Sequence, residues 1–165
     1  MRRLLLLLFS AALISACGSD SGDESPQPSK PAAQDTTTTR EPKPAEAKGT
    51  AIKLDGSQFG AVLYDKRGQA IYLFDKEKSD KAECYGDCAA AWPPVLTKGE
   101  PQAGRGIDHS LLGTTERSDG RTQVTYNGHP LYFYAHEGRD EVTCHNVSEF
   151  GGLWLVLDGT GNARS

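Results

Sequence analysis

The sequence has no apolar run long enough to cross a bilayer. The longest, Leu4 to Ile14, falls well short of the roughly 20 residues that a spanning helix needs. It has no cluster of basic residues either. With 18 Lys and Arg against 22 Asp and Glu, and a formal net charge of −4, it lacks the concentrated positive charge that nucleic-acid backbones select, so no nucleic-acid partner is expected. No G-x-S-x-G, H-E-x-x-H, phosphate-binding loop or dinucleotide fingerprint occurs. That removes the enzyme classes that announce themselves by local sequence, and the chain points away from an enzyme. Cysteines number only four.

What is present begins at the N-terminus. Arg2 and Arg3 precede the short apolar run, and Ile14-Ser15-Ala16-Cys17 closes it. A positive start, an apolar stretch of this length and small residues at its end form the pattern of a secretory signal peptide, here 1–16. A cysteine directly after the small residues looks like a bacterial lipobox, where cleavage precedes a Cys that already carries a diacylglyceryl group. Cys17 is therefore the expected lipidation site. Each buried CH₂ of its acyl chains (palmitate, for example) contributes about 0.8 kcal/mol, so two or three chains anchor a protein without a spanning helix. The expected location is extracytoplasmic, at the surface of an envelope membrane. Residues 17–48 are rich in Ser, Thr, Pro, Glu, Lys and Ala, with no aromatic. Such a segment cannot bury enough apolar surface to offset chain entropy and is expected to be a disordered, semi-extended spacer.

All six tyrosines and both tryptophans lie beyond the spacer. Residues 49–161 make one small domain with a modest core, and 162–165 are a tail. Within the domain one pattern occurs twice. Tyr64-Asp65…Gly68…Ile71-Tyr72-Leu73-Phe74…Glu77 is echoed by Tyr126-Asn127-Gly128…Leu131-Tyr132-Phe133-Tyr134…Glu137. The seventh residue after each glutamate is a cysteine, Cys84 or Cys144, and a tryptophan follows, Trp92 or Trp154. This reads as an internal duplication, with repeat one at 61–96 and repeat two at 122–158. Strand signals dominate: 61–64 and 70–74 flank an Asp65–Gly68 turn, 111–117 and 122–126 flank Asp119-Gly120, and 153–157 closes the domain. Asn127-Gly128 is a strong hairpin signal. One helical patch, Asp87 to Trp92, is favoured by Ala89, Ala90 and Ala91 and stopped by Pro93-Pro94. The expected fold is mainly β: a small antiparallel domain of two related hairpin-containing repeats with one or two short helical turns. Tyr72 and Phe74, like Tyr132 and Tyr134, lie two apart and share a strand face. With Trp92 and Trp154 they read as core packing before they read as a ligand platform.

With Cys17 lipidated, Cys84, Cys88 and Cys144 remain, and three thiols cannot all pair within one chain. In an oxidising compartment a bridge is the default, and three single-bridge arrangements are open. Chain entropy gives roughly 2 kcal/mol for the short Cys84–Cys88 loop and about 4 for Cys84–Cys144. A metal reading stands beside these. A Cys-x3-Cys spacing on a helix places both sulfurs near one face, and Cys144 with His145 would complete a soft site for copper or zinc. Glu77 and Glu137 occupy equivalent positions and could be paired carboxylates for glycoside hydrolysis, but duplication accounts for the pairing without chemistry.

These motifs resemble a family of bacterial secreted-repeat lipoproteins recognised by a Tyr-x-(Phe/Trp/Tyr)-x-x-Asp motif and largely without assigned function. Cys84-Tyr85-Gly86-Asp87-Cys88 through Trp92-Pro93-Pro94, then Leu111 to Thr115, then Gln123 to Tyr132 look like its successive blocks. The chain departs from it in having Glu77 and Glu137 at the acidic position and in having Cys144. The resemblance implies a Cys84–Cys88 bridge, because that pair recurs in the family without a third cysteine. It implies an extracytoplasmic module of unknown activity. The function expected is non-catalytic binding, by a monomer, of an envelope protein or small ligand; the alternative is redox or metal handling through the Cys-x3-Cys pair.

Overall fold

A computed structural model describes residues 48–165. The signal peptide, Cys17 and the spacer up to residue 47 lie outside the described residues. The chain forms β1 (Ala51–Ser57), β2 (Gly60–Asp65), β3 (Tyr72–Phe74), α1 (Asp87–Ala91) and β4 (Gln102–Ala103). After a 3-10 turn at His109–Leu111 come β5 (Leu112–Glu116), β6 (Thr122–Tyr126), β7 (His129–Pro130), β8 (Val147–Glu149) and β9 (Gly152–Val156). These make three three-stranded sheets, ordered β2-β1-β4, β3-β9-β8 and β5-β6-β7. All pairs are antiparallel except the two-residue contact of β1 with β4. The fold is mainly β, as the sequence implies. Asn127 (φ 50°) and Gly128 (φ 77°) supply the positive φ at both central residues that the β6–β7 turn needs. β8 and β9 turn through Phe150 (φ 54°) and Gly151 (φ 85°), a hairpin that carries no Asn-Gly or Asp-Gly signal and is missed in the sequence reading, as is β1.

The repeats are interwoven. After the Asp65–Gly68 turn only the Tyr64–Ala70 bridge forms before β3 leaves to pair with β9 of the second repeat, Tyr72 opposite Val156 and Phe74 opposite Trp154. The second repeat reciprocates. Its 131–135 segment pairs with 91–95 of the first, through Phe133 N–H to Pro93 O (2.8 Å), Ala135 N–H to Ala91 O (2.9 Å) and Val95 N–H to Leu131 O (2.8 Å). The halves meet where Tyr72 and Tyr132 exchange N–H···O bonds in both directions at 2.9 Å. A pseudo-twofold axis passes between those two residues.

Backbone pairing also fixes which positions are equivalent. Ile71 donates to Leu63 O and Leu131 to Val124 O, while Leu54 faces Leu63 and Thr114 faces Val124. Leu63 thus corresponds to Val124, and Asp65, not Tyr64, corresponds to Tyr126. The tyrosine echo in the sequence is therefore offset by one residue in space. The first turn is one residue longer between its paired ends, which hides the slip. A one-residue slip turns a side chain to the opposite face, and the packing agrees. Tyr64 joins a core of Tyr72, Phe74, Trp92, Tyr132 and Trp154; Tyr126 joins an aliphatic core of Leu63, Ile71, Leu73, Val95, Val124, Leu131 and Leu157. β3 divides the two, sending alternate side chains to each.

Candidate functional site

The repeated motif builds a reciprocal lock. Tyr132 of the second repeat donates its hydroxyl to Glu77 Oε1 of the first at 2.6 Å. Tyr72 of the first donates to Glu137 Oε1 of the second at 2.5 Å. Each carboxylate oxygen also receives the amide six residues on in its own repeat, Glu83 N–H (2.7 Å) or Thr143 N–H (2.6 Å). The motif acid therefore ties the approach to each cysteine onto the opposite repeat. The longer Glu side chain reaches across the axis. The environments differ. Glu77 is only 2% exposed; its Oε2, like that of Glu137, is buried with no partner among the described residues. Burial pushes its pKa up despite the hydrogen bonds that pull it down. Glu137 is half-buried, gains Thr143 Oγ1 at 3.0 Å, and faces an opening of about 290 Å³ between Arg67 and Arg139. Burial, then the adjacent glutamate, pushes the Tyr72 and Tyr132 hydroxyls far above their ordinary range.

Trp92 and Trp154 stack across the same axis, centroids 4.0 Å apart and 3° from parallel. Tyr72 meets Trp92 edge-on and Tyr132 meets Trp154 edge-on, each at 5.3 Å. Phe74 stacks on Trp154 at 4.3 Å and Tyr134 tilts against Trp92 at 4.9 Å. Each tryptophan is thus covered by an aromatic from both repeats, in the geometries that ring quadrupoles favour. Both are fully buried, so the stack offers no open face to a ligand.

Cys84 and Cys88 are bonded to each other, at 1% and 8% exposure. A clamp that sequence reading missed holds this loop. Arg117, 1% exposed, donates Nη2 to Cys84 O (2.7 Å) and Nη1 to Gln123 (2.5 Å), and its guanidinium lies 4.3 Å from the Tyr85 ring centre. Nothing local in the sequence marks this arginine as buried. Cys144 is a free, half-buried thiol. It holds the position equivalent to Cys84, seven residues after the motif acid, but has no mate. Burial raises its pKa, and the nearby Glu137 and Glu149 carboxylates add to the effect while Thr143 and Tyr134 oppose it. The metal set read from the sequence is not assembled. Cys84 and Cys88 commit their sulfurs to one another, and His145 packs on Phe59 at 4.4 Å with Nδ1 accepting from Val156 N–H (3.3 Å). No group of three or more His, Cys, Asp or Glu suited to a metal ion occurs among the described residues.

A groove of about 950 Å³ opens where residues 95–97 of the first repeat lie along β6 of the second. Lys48, Lys66, Arg67, Lys98 and Arg121 line it with one carboxylate, Asp65. Leu96 and Phe133 provide apolar surface. Arg67 pairs with Asp65 (3.2 Å), and Arg121 with Asp119 (2.7 Å) just outside. These cations come from four separated stretches, which is why the sequence shows no basic cluster.

A family model described as a secreted repeat of unknown function matches residues 54–96 and 113–158, together more than half of the chain. The chain belongs to this secreted-repeat family. Each matched segment begins within β1 or β5, one strand earlier than the bounds read from the sequence. No curated protein and no solved structure matches the chain. Membership agrees with an extracellular or envelope location. No helix among the described residues is long and apolar enough to cross a membrane. The lock and the stack thus join two secreted repeats to each other, and the groove is the feature they leave over.

Proposed function

We propose that this secreted repeat is a lipid-anchored extracytoplasmic module that binds a ligand or envelope partner and carries out no reaction of its own. The observation that carries this reading is the disposition of Glu77 and Glu137, the two carboxylates best placed by the duplication for paired chemistry. Each is held by a tyrosine of the opposite repeat and by an amide of its own, so the duplicated motif works as a fastener. Anchoring is supported by the Ile14-Ser15-Ala16-Cys17 sequence and the Pro- and Thr-rich spacer behind it, which gives the domain reach from a membrane surface. The redox and metal alternative has weaker support, because the bridged sulfurs are buried and Cys144 lacks a second thiol. Two measurements test the proposal. The mass of the mature N-terminus should show a diacylated Cys17, and Cys17→Ala should release the protein from the membrane fraction. An unmodified mature N-terminus that begins elsewhere would overturn the anchor.

A further inference from the structure

We infer that the basic groove is a headgroup site for an anionic phospholipid. The duplication supplies an internal control. Asp65 corresponds to Tyr126 by backbone pairing. At the opposite end of the molecule Tyr126 fills the matching space, buried, its hydroxyl donating to Gly159 O (2.7 Å) and accepting from Asp108 N–H (3.1 Å). The groove is therefore open because a short aspartate stands where the other repeat has a ring. Its charge is equally one-sided. By the same register Lys48 corresponds to Asp108, Lys98 to Thr160 and Arg121 to Gly60, while the Lys66-Arg67 turn is replaced by Asn127-Gly128. The tail's Arg164 does lie against Gly60 there, donating to Ala61 O at 3.2 Å, and the Asp158 carboxylate stands near it, held low against burial by hydrogen bonds from Thr160 and Asn162 and, least, by the Arg164 charge. At that end Tyr126 occupies the space, and Asp108, Thr160 and Gly60 stand where this end has Lys48, Lys98 and Arg121, so packing the repeats does not require the basic lining.

Four features narrow the ligand. Of the five cations Arg67 and Arg121 are paired with Asp65 and Asp119; the excess left on Lys48, Lys66 and Lys98 calls for an anion, and apolar surface at Leu96 and Phe133 suits one with an apolar portion. The net charge of −4 confines the attraction to this groove, which favours a compact headgroup over a long polyanion. The chain enters the domain at Lys48–Ala51, which forms one wall of the groove. On the anchored reading, which the choice of a membrane lipid rests on, this is the end to which the tether leads. Tethering keeps the headgroups at high effective concentration, so weak intrinsic binding is sufficient.

The test uses the chain from residue 17 onward carrying Cys17→Ser, which keeps every described residue but no lipid. Its sedimentation is measured with vesicles of phosphatidylcholine alone and of phosphatidylcholine mixed with phosphatidylglycerol. Binding is expected only to the mixed vesicles. Lys66→Ala and Lys98→Ala should each weaken it about fivefold, the effect of removing one cation near an anionic surface. Lys81→Ala, an exposed lysine outside the groove, should leave it unchanged. Equal binding to both vesicles, no binding at all, or an equal loss in Lys81→Ala would overturn the site. Glycerol phosphate binding as tightly as the mixed vesicles would overturn the lipid and make the free ester the ligand. Because the chain in every arm is unlipidated, a failed anchor would show only in the N-terminal mass.

Discussion

Replacing Tyr132 by Phe should destabilise the domain more than replacing Tyr72 by Phe, although the two tyrosines are equivalent in sequence. Both substitutions delete one hydroxyl that donates to a carboxylate, and both leave the ring packing intact. A hydrogen bond to a charged group contributes about 1.5–3 kcal/mol. For Tyr132 the acceptor is Glu77, 2% exposed, where water cannot take the place of the lost donor. The amide of Glu83 then becomes its one remaining close donor on Oε1, and the upper half of that range applies. For Tyr72 the acceptor is the half-buried Glu137, which keeps two donors, Thr143 N–H and Thr143 Oγ1. Here a loss of about 1 kcal/mol is expected.

Urea unfolding followed by tryptophan fluorescence reads this directly, because Trp92 and Trp154 sit at the centre of the fold beside both tyrosines. With a slope of about 2 kcal/mol/M, Tyr132→Phe should lower the midpoint by about 1 M and Tyr72→Phe by about half that, both at unchanged slope. Equal midpoints, or a larger loss for Tyr72→Phe, would refute the claim that burial of the acceptor sets the strength of each lock.

Because burial raises the Glu77 pKa, the folded state holds that proton more tightly than the unfolded one. Its stabilising contribution is complete below the unfolded value near 4.5 and is lost as pH rises through the folded value. Glu77→Gln should remove this decline, and matching stability–pH curves for the two proteins would contradict it. Breaking the Cys84–Cys88 bridge with Cys84→Ser/Cys88→Ser should cost roughly 2 kcal/mol; its burial predicts that mass tagging finds it intact after reductant in native buffer and open once urea is added. Cys144, its thiol raised by burial, should alkylate more slowly at neutral pH than free cysteine and speed up as pH rises, whereas a rate equal to free cysteine would mark it as exposed and activated. Fragments 48–105 and 106–165 should each lack near-UV circular dichroism alone and recover it when mixed, and a native-like signal from either alone would show that strand exchange is dispensable.

Much of the fold is legible in the sequence because its signals are local. Alternating apolar strands, Asn127-Gly128, and the alanines before Pro93-Pro94 each act within a few residues. The duplication is legible for the same reason, since it is a comparison of text. What escapes is whatever depends on the partner of a strand. The Asp65–Gly68 turn suggests a simple hairpin, but β3 has a more apolar partner in β9 and crosses over to it. Tyr64 and Tyr126 look equivalent until hydrogen bonding shows the slip. Arg117 reads as a surface residue at a strand end and becomes a buried clamp only because Cys84 and Tyr85 fold against it. The groove is hidden by the same logic, its five cations drawn from stretches that only the exchanged strand brings together.

Strand exchange also explains where individuality can arise in such a chain. The lock and stack residues at the axis are answered by counterparts: Tyr72 by Tyr132, Glu77 by Glu137, Trp92 by Trp154. A change there disturbs both repeats, because each lock and each stack uses one member from either side. At the ends, far from the axis, the repeats are released from that constraint, and there they differ. One end is closed by Tyr126 and bears Asp108 and Asp158; the other is opened by Asp65 and ringed with lysine and arginine. The aromatic core itself carries one further difference, since Cys84 finds a mate in Cys88 while Cys144, at the matching position, has none. A duplicated domain that served only as a packing unit would have no reason to diverge at its ends in charge and in open volume together. That paired divergence, more than the conspicuous aromatic motif, is where the function of this secreted repeat should be sought.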